Sequence, residues 1–228
     1  MATVKSFLKR LAEHLPLETL ERVSVFPVLR SVFPGAQEAP RLANREELQR
    51  ECIEKVMGPD AAITYVEFGV YQGDSIRRIS SLNRNPDSVF IGLDSFEGLP
   101  EDWIHGYPKG HFDVGGTIPN IDDRRVSFLK GWFRDSWEAL EARISGRRNL
   151  VVHYDADLYS STLFALTRIH SLEQGYTAIF DEFAGQEARA LHNYVQSYDA
   201  SVSFLAQVPV RGYPYHVLCR IEPAGLRS

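Results

Sequence analysis

The chain has few cysteines, no excess of basic residues and no long apolar run. Only Cys52 and Cys219 occur among 228 residues, far apart and without metal-ligand spacing, which argues against a disulfide framework and suits a reducing compartment. A formal net charge of −5 provides no overall positive field for nucleic acid. No apolar run reaches the roughly 20 residues of a membrane-spanning helix, and the N-terminus lacks the layout of a signal peptide. We therefore expect a cytoplasmic protein that binds neither nucleic acid nor a membrane.

Short apolar runs alternate with amphipathic stretches through most of the chain. The runs that predict strands cover residues 63–68, 89–93, 126–129, 150–153 and 176–180. The stretches that predict helices cover residues 45–57, 75–82, 136–144, 162–172 and 186–195. Continuous apolar strands separated by helices indicate a parallel sheet that is covered on both faces. The chain then ends in two further runs, 202–208 and 213–221, joined by a short turn that indicates an antiparallel hairpin.

The N-terminal segment, residues 1–43, differs from the remainder. Phe7, Leu8, Leu11 and Leu15 share one helical face, and Pro16 ends that helix. We expect a helical lid or dimerisation segment here, with a simple pair of packing helices as the alternative, and a main domain over residues 44–228. A homodimer remains open.

A glycine-containing turn directly follows the first predicted strand. It holds Glu67, Gly69 and Gly73, and a helix begins immediately afterwards. Glycines allow a sharp bend and a close approach to a ligand, and a helix start favours an anionic group. The spacing is not the dinucleotide pattern G-x-G-x-x-G, and a carboxylate before the glycines would accept hydrogen bonds from an ammonium group. Asp94, at the end of the second strand, is placed to accept the ribose hydroxyls of a nucleoside.

Acidic side chains also follow the fourth and fifth predicted strands. Asp155 and Asp157 come after one, and Asp181 and Glu182 after the other. Carboxyl ends of neighbouring parallel strands converge on one crevice, and several acids together are costly without a cation or a shared proton. The pattern predicts a Mg²⁺ site of oxygen ligands, with helix capping by these acids as the alternative.

The long loop over residues 95–125 is rich in glycine and proline and also holds aromatic residues. Long loops in compact domains are commonly binding loops, so we expect a partly packed flap. The histidines of this loop, His105 and His111, are alternative candidates for a catalytic base. His153 lies within a strand pattern, where a core histidine is the simpler interpretation.

Several of these motifs together resemble one family, the macrocin O-methyltransferases of antibiotic biosynthesis. The runs are VEFGVYQGDSI, GLDSFEGLP, FLKGWF, DADLYSST and IFDEF, between Tyr65 and Phe183. The resemblance implies a Rossmann-like class I methyltransferase fold with a mostly parallel seven-stranded sheet and a C-terminal antiparallel hairpin. It also implies S-adenosylmethionine as cofactor, Mg²⁺ as metal and a glycosylated small molecule as substrate.

The resemblance assigns roles to individual residues. The expected cofactor-binding residues are Glu67, Gly69, Gly73, Ser75, Asp94, Ser95, Phe96, Gly131, Trp132 and Asp155. The expected metal ligands are Asp157, Asp181 and Glu182, and Asp157 is also the expected catalytic base. Glu182 departs from the family pattern, which usually has an aspartate there.

The predicted function is Mg²⁺-assisted transfer of a methyl group to a hydroxyl of a sugar or glycosylated natural product. The alternatives are a cephalosporin-hydroxylase-type methyltransferase on another small molecule, an NAD-binding oxidoreductase, and a non-catalytic subunit that kept the fold. The missing dinucleotide pattern disfavours the oxidoreductase.

Overall fold

A single seven-stranded sheet organises the part of the chain that this computed structural model describes, namely Leu29, residues 31–103 and residues 106–224. The strands are β1 (Thr64–Phe68), β2 (Val89–Asp94), β3 (Val126–Lys130), β4 (Leu150–Tyr154), β5 (Tyr176–Phe180), β6 (Ser201–Val210) and β7 (Tyr213–Glu222). Their order across the sheet is β3-β2-β1-β4-β5-β7-β6. Strands β1 to β5 pair in parallel, whereas β7 pairs antiparallel with both β5 and β6.

Helices follow most of the strands. They are α1 (Pro34–Glu38), α2 (Arg45–Arg50, continuing as π-helical turns over Glu51–Met57), α3 (Asp74–Leu82), α4 (Phe133–Ile144), α5 (Tyr159–His170) and α6 (Ala188–Tyr198, preceded by a kinked π-helical segment, Phe183–Glu187). Every predicted strand and every predicted helix from residue 45 onwards is present, with shifts of a few residues at the ends. The predicted mixed sheet with its final hairpin is confirmed.

The two faces of the sheet bury two separate sets of apolar side chains. Alternation along β1 places Val66 and Phe68 on one face, under α4, α5 and α6, while Tyr65 lies on the opposite face, under α2 and α3. All residues of β1, β4 and β5 are buried, as expected for central strands of a sheet covered on both sides. Glu67 shares the face of Tyr65, so its carboxylate lies inside the protein, where an ionised group needs partners.

The final hairpin turns over two residues, Arg211 and Gly212. Both have positive φ, +52° and +84°, as in the tight turns that match the natural twist of paired strands. Among the described residues, no helix is long and apolar enough to cross a membrane.

The described part of the predicted N-terminal segment packs on the main domain. Leu29, Phe33 and Ala36 are buried in the larger apolar core. The chain then runs beside β6, where the Leu42 N–H donates to the Gln207 carbonyl (2.8 Å) and the Gln207 N–H donates to the Pro40 carbonyl (2.9 Å). The predicted helix around Phe7–Leu15 lies outside the described residues, so the lid or dimerisation role stays a prediction.

The loop between β2 and β3 has its own packing. Backbone hydrogen bonds join Leu99 to both Gly110 and His111, at 2.9 Å each, and Gly116 to Phe96 at 2.7 Å. Gly98 is required here, because a Cβ atom would lie 2.4 Å from two carbonyl oxygens of the opposite strand of the loop. The loop therefore forms a folded flap across the C-terminal ends of the strands; His105 lies outside the described residues.

Candidate active site

A cavity of about 750 Å³ opens at the C-terminal ends of the parallel strands. Residues that directly follow β1, β4 and β5 line it, including Gly69, Asp155 and Asp181, together with Asp94 at the end of β2. This is the crevice in which open parallel sheets bind ligands, and its size suits a cofactor beside a small acceptor.

The turn after β1 brings the backbone against β4. Gly69 has φ +93°, and a Cβ atom there would lie 1.8 Å from the carbonyl oxygen of Asp155. Gly73, with φ +80°, immediately precedes α3, whose first residues, Asp74 and Ser75, line the cavity. Both glycines are thus required by the backbone path, as the sequence pattern indicates. Gly69 lines the cavity, and Gly73 lies behind it against Pro119.

Asp94 connects the turn after β1 to the end of β2. Its Oδ2 atom accepts hydrogen bonds from the N–H groups of Val70 and Tyr71, at 2.8 Å each. Its Oδ1 atom accepts from the Phe96 N–H at 2.7 Å. These bonds hold the carboxylate at the cavity wall, where it can also accept bonds from a ligand.

Other predicted cofactor residues divide into two groups. Ser75, Ser95 and Trp132 line the cavity beside Asp94. Phe96 and Gly131 do not. Phe96 is 1% exposed and packs against Phe128, and the Gly131 N–H donates to the Asp94 carbonyl at 2.9 Å.

Glu67 lies beneath the cavity in a buried hydrogen-bond network. The Tyr65 hydroxyl donates to Glu67 Oε2 at 2.5 Å and lies 2.8 Å from His153 Nδ1. Glu67 is 1% exposed and does not line the cavity. Burial opposes the charged His153 ring, but the carboxylates of Asp181 and Glu67 outweigh it and raise its pKa to about 9. His153 is thus a core histidine that links two acids through charge.

Four carboxylates meet in the cavity: Asp155, Asp157, Asp181 and Glu182. Burial and the neighbouring Asp181 carboxylate raise the pKa of Asp155 to about 7. Burial and the Asp155 carboxylate raise the pKa of Asp157 to about 8, and burial also raises the pKa of Glu182. Burial opposes ionisation of Asp181 too, but His153, His216 and Arg45 outweigh it and hold its pKa below the ordinary value. Three of the four acids therefore hold protons more tightly than free carboxyls do.

Part of this carboxylate cluster, together with His153, fits a divalent cation. Oxygen atoms of Asp155 and Asp181 and a ring nitrogen of His153 lie within 4.8 Å of one another, the most compact group of possible ligands among the described residues. This group shares Asp181 with the predicted set Asp157, Asp181 and Glu182. Hard ions such as Mg²⁺ prefer carboxylate oxygens, and a cation would offset the repulsion that, together with burial, raises the pKa values of Asp155 and Asp157.

Arg45 is the functional-site residue that the sequence interpretation missed. From the first turn of α2 its Nη2 atom lies 2.8 Å from Asp155 Oδ2, and its Nε atom lies 2.9 Å from Asp181 Oδ1. Nη2 also donates to the Ser75 hydroxyl. No local pattern connects Arg45 to acids more than a hundred residues away. His216, whose Nδ1 atom lies 3.4 Å from Asp181 Oδ1, was missed for the same reason.

An aromatic wall, defined here as Tyr71, Tyr107, His111 and Phe112, stands at the mouth of the cavity. Tyr71 and Phe112 meet edge to face with ring centroids 5.6 Å apart, and Tyr107 and His111 both contact Phe112. Tyr71 is 43% exposed and lines the cavity with Phe112. His111 is held by aromatic contacts and does not line the cavity, which leaves Asp157 nearer to any ligand there.

The strand order, the antiparallel β7 and the ligand-sized cavity at the strand ends define a class I methyltransferase fold. Solved structures of that class agree. The calicheamicin methyltransferase CalS11 is 17% identical with a TM-score of 0.56, over 96% of this chain and 91% of that one. The O-methyltransferase NovP is 21% identical with a TM-score of 0.54, over 88% of this chain and 98% of that one.

Sequence comparison finds similarity to one family and to two O-methyltransferases. Residues 118–206 match the family model described as Macrocin-O-methyltransferase (TylF). A Streptomyces olivaceus relative, 8-demethyl-8-(2,3-dimethoxy-alpha-L-rhamnosyl)-tetracenomycin-C 4'-O-methyltransferase, is 29% identical over 217 residues, covering 77% of this chain and 80% of that protein. Demethyldecarbamoylnovobiocin O-methyltransferase of Streptomyces niveus is 28% identical over 161 residues, covering 61% of this chain and 60% of that protein. Over residues 118–206 the chain is thus similar to the macrocin O-methyltransferase family. The predicted resemblance to this family, the predicted fold class and the assignment as an O-methyltransferase are confirmed.

Proposed function

We propose that the chain transfers the methyl group of S-adenosylmethionine to a hydroxyl of a sugar unit on a small molecule. The observation that carries this proposal is the array of four carboxylates that faces the glycine turn across one cavity. The names of the two Streptomyces relatives support it, because both are O-methyltransferases and one name specifies a rhamnosyl group on its substrate.

In this proposal the cofactor lies along the ends of β1, β2 and β3. Asp94 accepts the ribose hydroxyls, Trp132 lies beside the adenine, and Ser75 at the start of α3 lies beside the methionine carboxylate. Glu67 acts through its neighbours, because its carboxylate is bonded to Tyr65 beneath the cavity. Its carboxylate raises the pKa values of both His153 and Arg45, and Arg45 lines the cavity. Two structural neighbours were solved with this type of ligand, TomG with SAM and a Bacillus cereus O-methyltransferase with SAH.

Asp157 is the proposed general base. A sugar hydroxyl is a weak nucleophile at neutral pH, so a positioned base helps by removing its proton as the methyl group is transferred. The pKa of Asp157, raised to about 8, lies near neutral pH, where a base combines proton affinity with a usable ionised fraction. Asp155 and Asp181, with Glu182 beside them, would hold Mg²⁺, and a bound Mg²⁺ lowers the pKa of a coordinated hydroxyl.

Replacing the proposed base tests the mechanism. We expect Asp157→Asn to lower kcat by about 10²–10⁴-fold, because the amide cannot take the proton. The Kd for S-adenosylmethionine, measured by calorimetry, should stay within about twofold. The control is Asp87→Asn, an exposed acid before β2. An Asp157→Asn enzyme with turnover close to that of the unaltered chain would contradict the role of Asp157.

The acceptor class needs a separate experiment. Glycosides, their aglycones and nucleotide-activated sugars would each be incubated with S-adenosylmethionine and analysed by mass spectrometry for a gain of one CH₂ unit. We expect methylation of glycosides and none of the bare aglycones. Calorimetry with NAD⁺ would test the oxidoreductase alternative, and binding of NAD⁺ in place of S-adenosylmethionine would overturn the proposal.

A further inference from the structure

We propose that Arg45 is an internal cation of the active site, which a divalent metal ion must displace before it can bind Asp155 and Asp181. The inference concerns regulation of metal loading and rests on the metal site in the proposed function. Arg45 is thereby a residue that sets the metal affinity of the site.

The contacts of Arg45 coincide with those that a metal would make. Its Nη2 atom lies 2.8 Å from Asp155 Oδ2 and its Nε atom lies 2.9 Å from Asp181 Oδ1. Asp155 and Asp181 also supply the oxygens of the compact group of possible ligands. The third member, His153, is fully buried, and its Nε2 atom has no hydrogen-bond partner although it lies 3.5 Å from Asp181 Oδ1. One guanidinium thus bridges the two acids that a metal would bridge.

A metal ion and the guanidinium cannot share these oxygens at low cost. Mg²⁺ binds carboxylate oxygens at about 2.0–2.1 Å. The guanidinium would then lie within a few ångströms of a doubly charged ion in a partly buried cavity, where like charges repel far more strongly than in water. Metal binding must therefore include the free energy of moving Arg45 away, which weakens the apparent metal affinity.

The backbone at Arg45 is held in place, whereas its side chain has access to solvent. Its helix is capped by Asn44, whose Oδ1 accepts from the Glu47 N–H at 2.9 Å, and the preceding residues are hydrogen-bonded to β6. The Arg45 side chain is 33% exposed and lines the open cavity. The side chain can therefore rotate toward solvent while α2 stays in place.

A metal titration of the full chain without cofactor tests the proposal. Mn²⁺ is the probe, and electron paramagnetic resonance measures free Mn²⁺. We expect Arg45→Gln to bind Mn²⁺ at least about fivefold more tightly than the unaltered chain. The matched control is Arg78→Gln, which removes an equally exposed arginine that pairs with Glu46, not with the site acids. Its Mn²⁺ affinity should change by less than about twofold. Equal or weaker binding by Arg45→Gln, including no binding by either chain, would overturn the proposal.

A second variant covers the case in which Arg45→Gln does not fold. Asn44→Ala loosens the start of the helix, because it removes the capping side chain at an exposed position. We expect it to tighten Mn²⁺ binding in the same direction, by about twofold; unchanged or weaker binding would count against the proposal. Methyl transfer does not enter either titration. An absent methyltransferase activity would therefore refute the proposed function and leave the result on Arg45 intact.

Discussion

Gly69 lies where the turn after β1 contacts the backbone that follows β4. Its φ of +93° would strain any other residue, and the Asp155 carbonyl occupies the space of a Cβ atom. The same contact holds the Asp155 backbone against the turn that follows β1. A substitution at Gly69 must therefore shift β1 and β4 relative to each other.

A second glycine allows the cost of backbone strain to be separated from the cost of a steric clash of the added Cβ atom. Gly146 has a similar φ of +75°, but no atom lies within 4 Å of a Cβ built there. We expect Gly146→Ala to lower the free energy of unfolding by about 1–2 kcal/mol, the cost of a left-handed alanine. Gly69→Ala should cost at least about 3 kcal/mol and abolish S-adenosylmethionine binding. Urea denaturation and calorimetry measure the two quantities, and equal losses for both variants would show that collision at Gly69 is unimportant.

At the scale of elements, Arg125 ties the start of β3 to the end of α3. Its guanidinium donates to the carbonyls of Ser80, Asn83 and Asn85 at 2.7–3.0 Å and to the Asp123 carboxylate at 2.6 Å. It also lies over the Phe90 ring, 5.0 Å from the centroid. Because β3 is an edge strand of the sheet, this arginine and its carboxylate supply anchoring that a second neighbouring strand would otherwise give.

The Asp123 carboxylate gives this anchor a pH dependence. Hydrogen bonds from Arg125 lower the pKa of Asp123, although burial partly opposes the effect. A lowered folded-state pKa contributes stability above the ordinary carboxyl pKa of about 3.9, and this contribution is lost as pH falls toward the folded value. We expect Asp123→Asn to lower the free energy of unfolding by about 1–2 kcal/mol at pH 7. The difference should shrink below about pH 4.

Chemical denaturation at pH 7 and at pH 3.5 measures that difference, with exposed Asp122→Asn as the control. A difference that stays constant between the two pH values would mean that the charge of Asp123 does not contribute.

At the scale of the whole molecule, three parts of the chain enclose one cavity. The sheet supplies the acids, α2 supplies Arg45, and the flap supplies Phe112, which meets Tyr71 of the turn after β1 in the aromatic wall. Ser160 at the start of α5 joins the flap to the body, because its hydroxyl donates to Glu101 at 2.6 Å. The acids are polar and the wall is apolar, so we infer that the sugar lies toward the acids and the aglycone toward the wall.

Tyr71 tests this orientation of the acceptor. We expect Tyr71→Ala to raise the KM for a glycosylated acceptor about tenfold, because a stacking surface is lost, while Tyr71→Phe changes it little. The Kd for S-adenosylmethionine should change by less than about threefold in both variants. Tyr198, an exposed tyrosine of α6, provides a control as Tyr198→Ala. If Tyr71→Ala weakened only cofactor binding, Tyr71 would belong to the cofactor site instead.

The fold was largely predictable because its signals are local. Each parallel strand is a short apolar run with a helix-forming stretch beside it, and the final hairpin has Arg211 and Gly212 at its turn. The same pattern also predicted that Asp94, Asp155 and Asp181 stand at strand ends, and all three line the cavity.

What could not be predicted depends on packing between distant segments. Arg45 reaches Asp155 across 110 positions only because α2 packs over the face of β1 that holds Tyr65 and Glu67. The burial of Glu67 did have a local signal, since residues two apart in a strand share a face. No local sequence signal distinguishes which of the acids would hold a metal, because that depends on distances of a few ångströms.

The backbone pairing of residues 40–42 with β6 also protects the sheet from other chains. An outer strand with free N–H and C=O groups is a template for pairing with a second molecule, and aggregation often begins there. Here the N–H and the carbonyl of Gln207 are both taken, by Pro40 and Leu42 of the same chain. The residues that lead into Arg45 therefore also cover this border of the sheet at Gln207, and a chain shortened to begin after Leu42 would expose these groups.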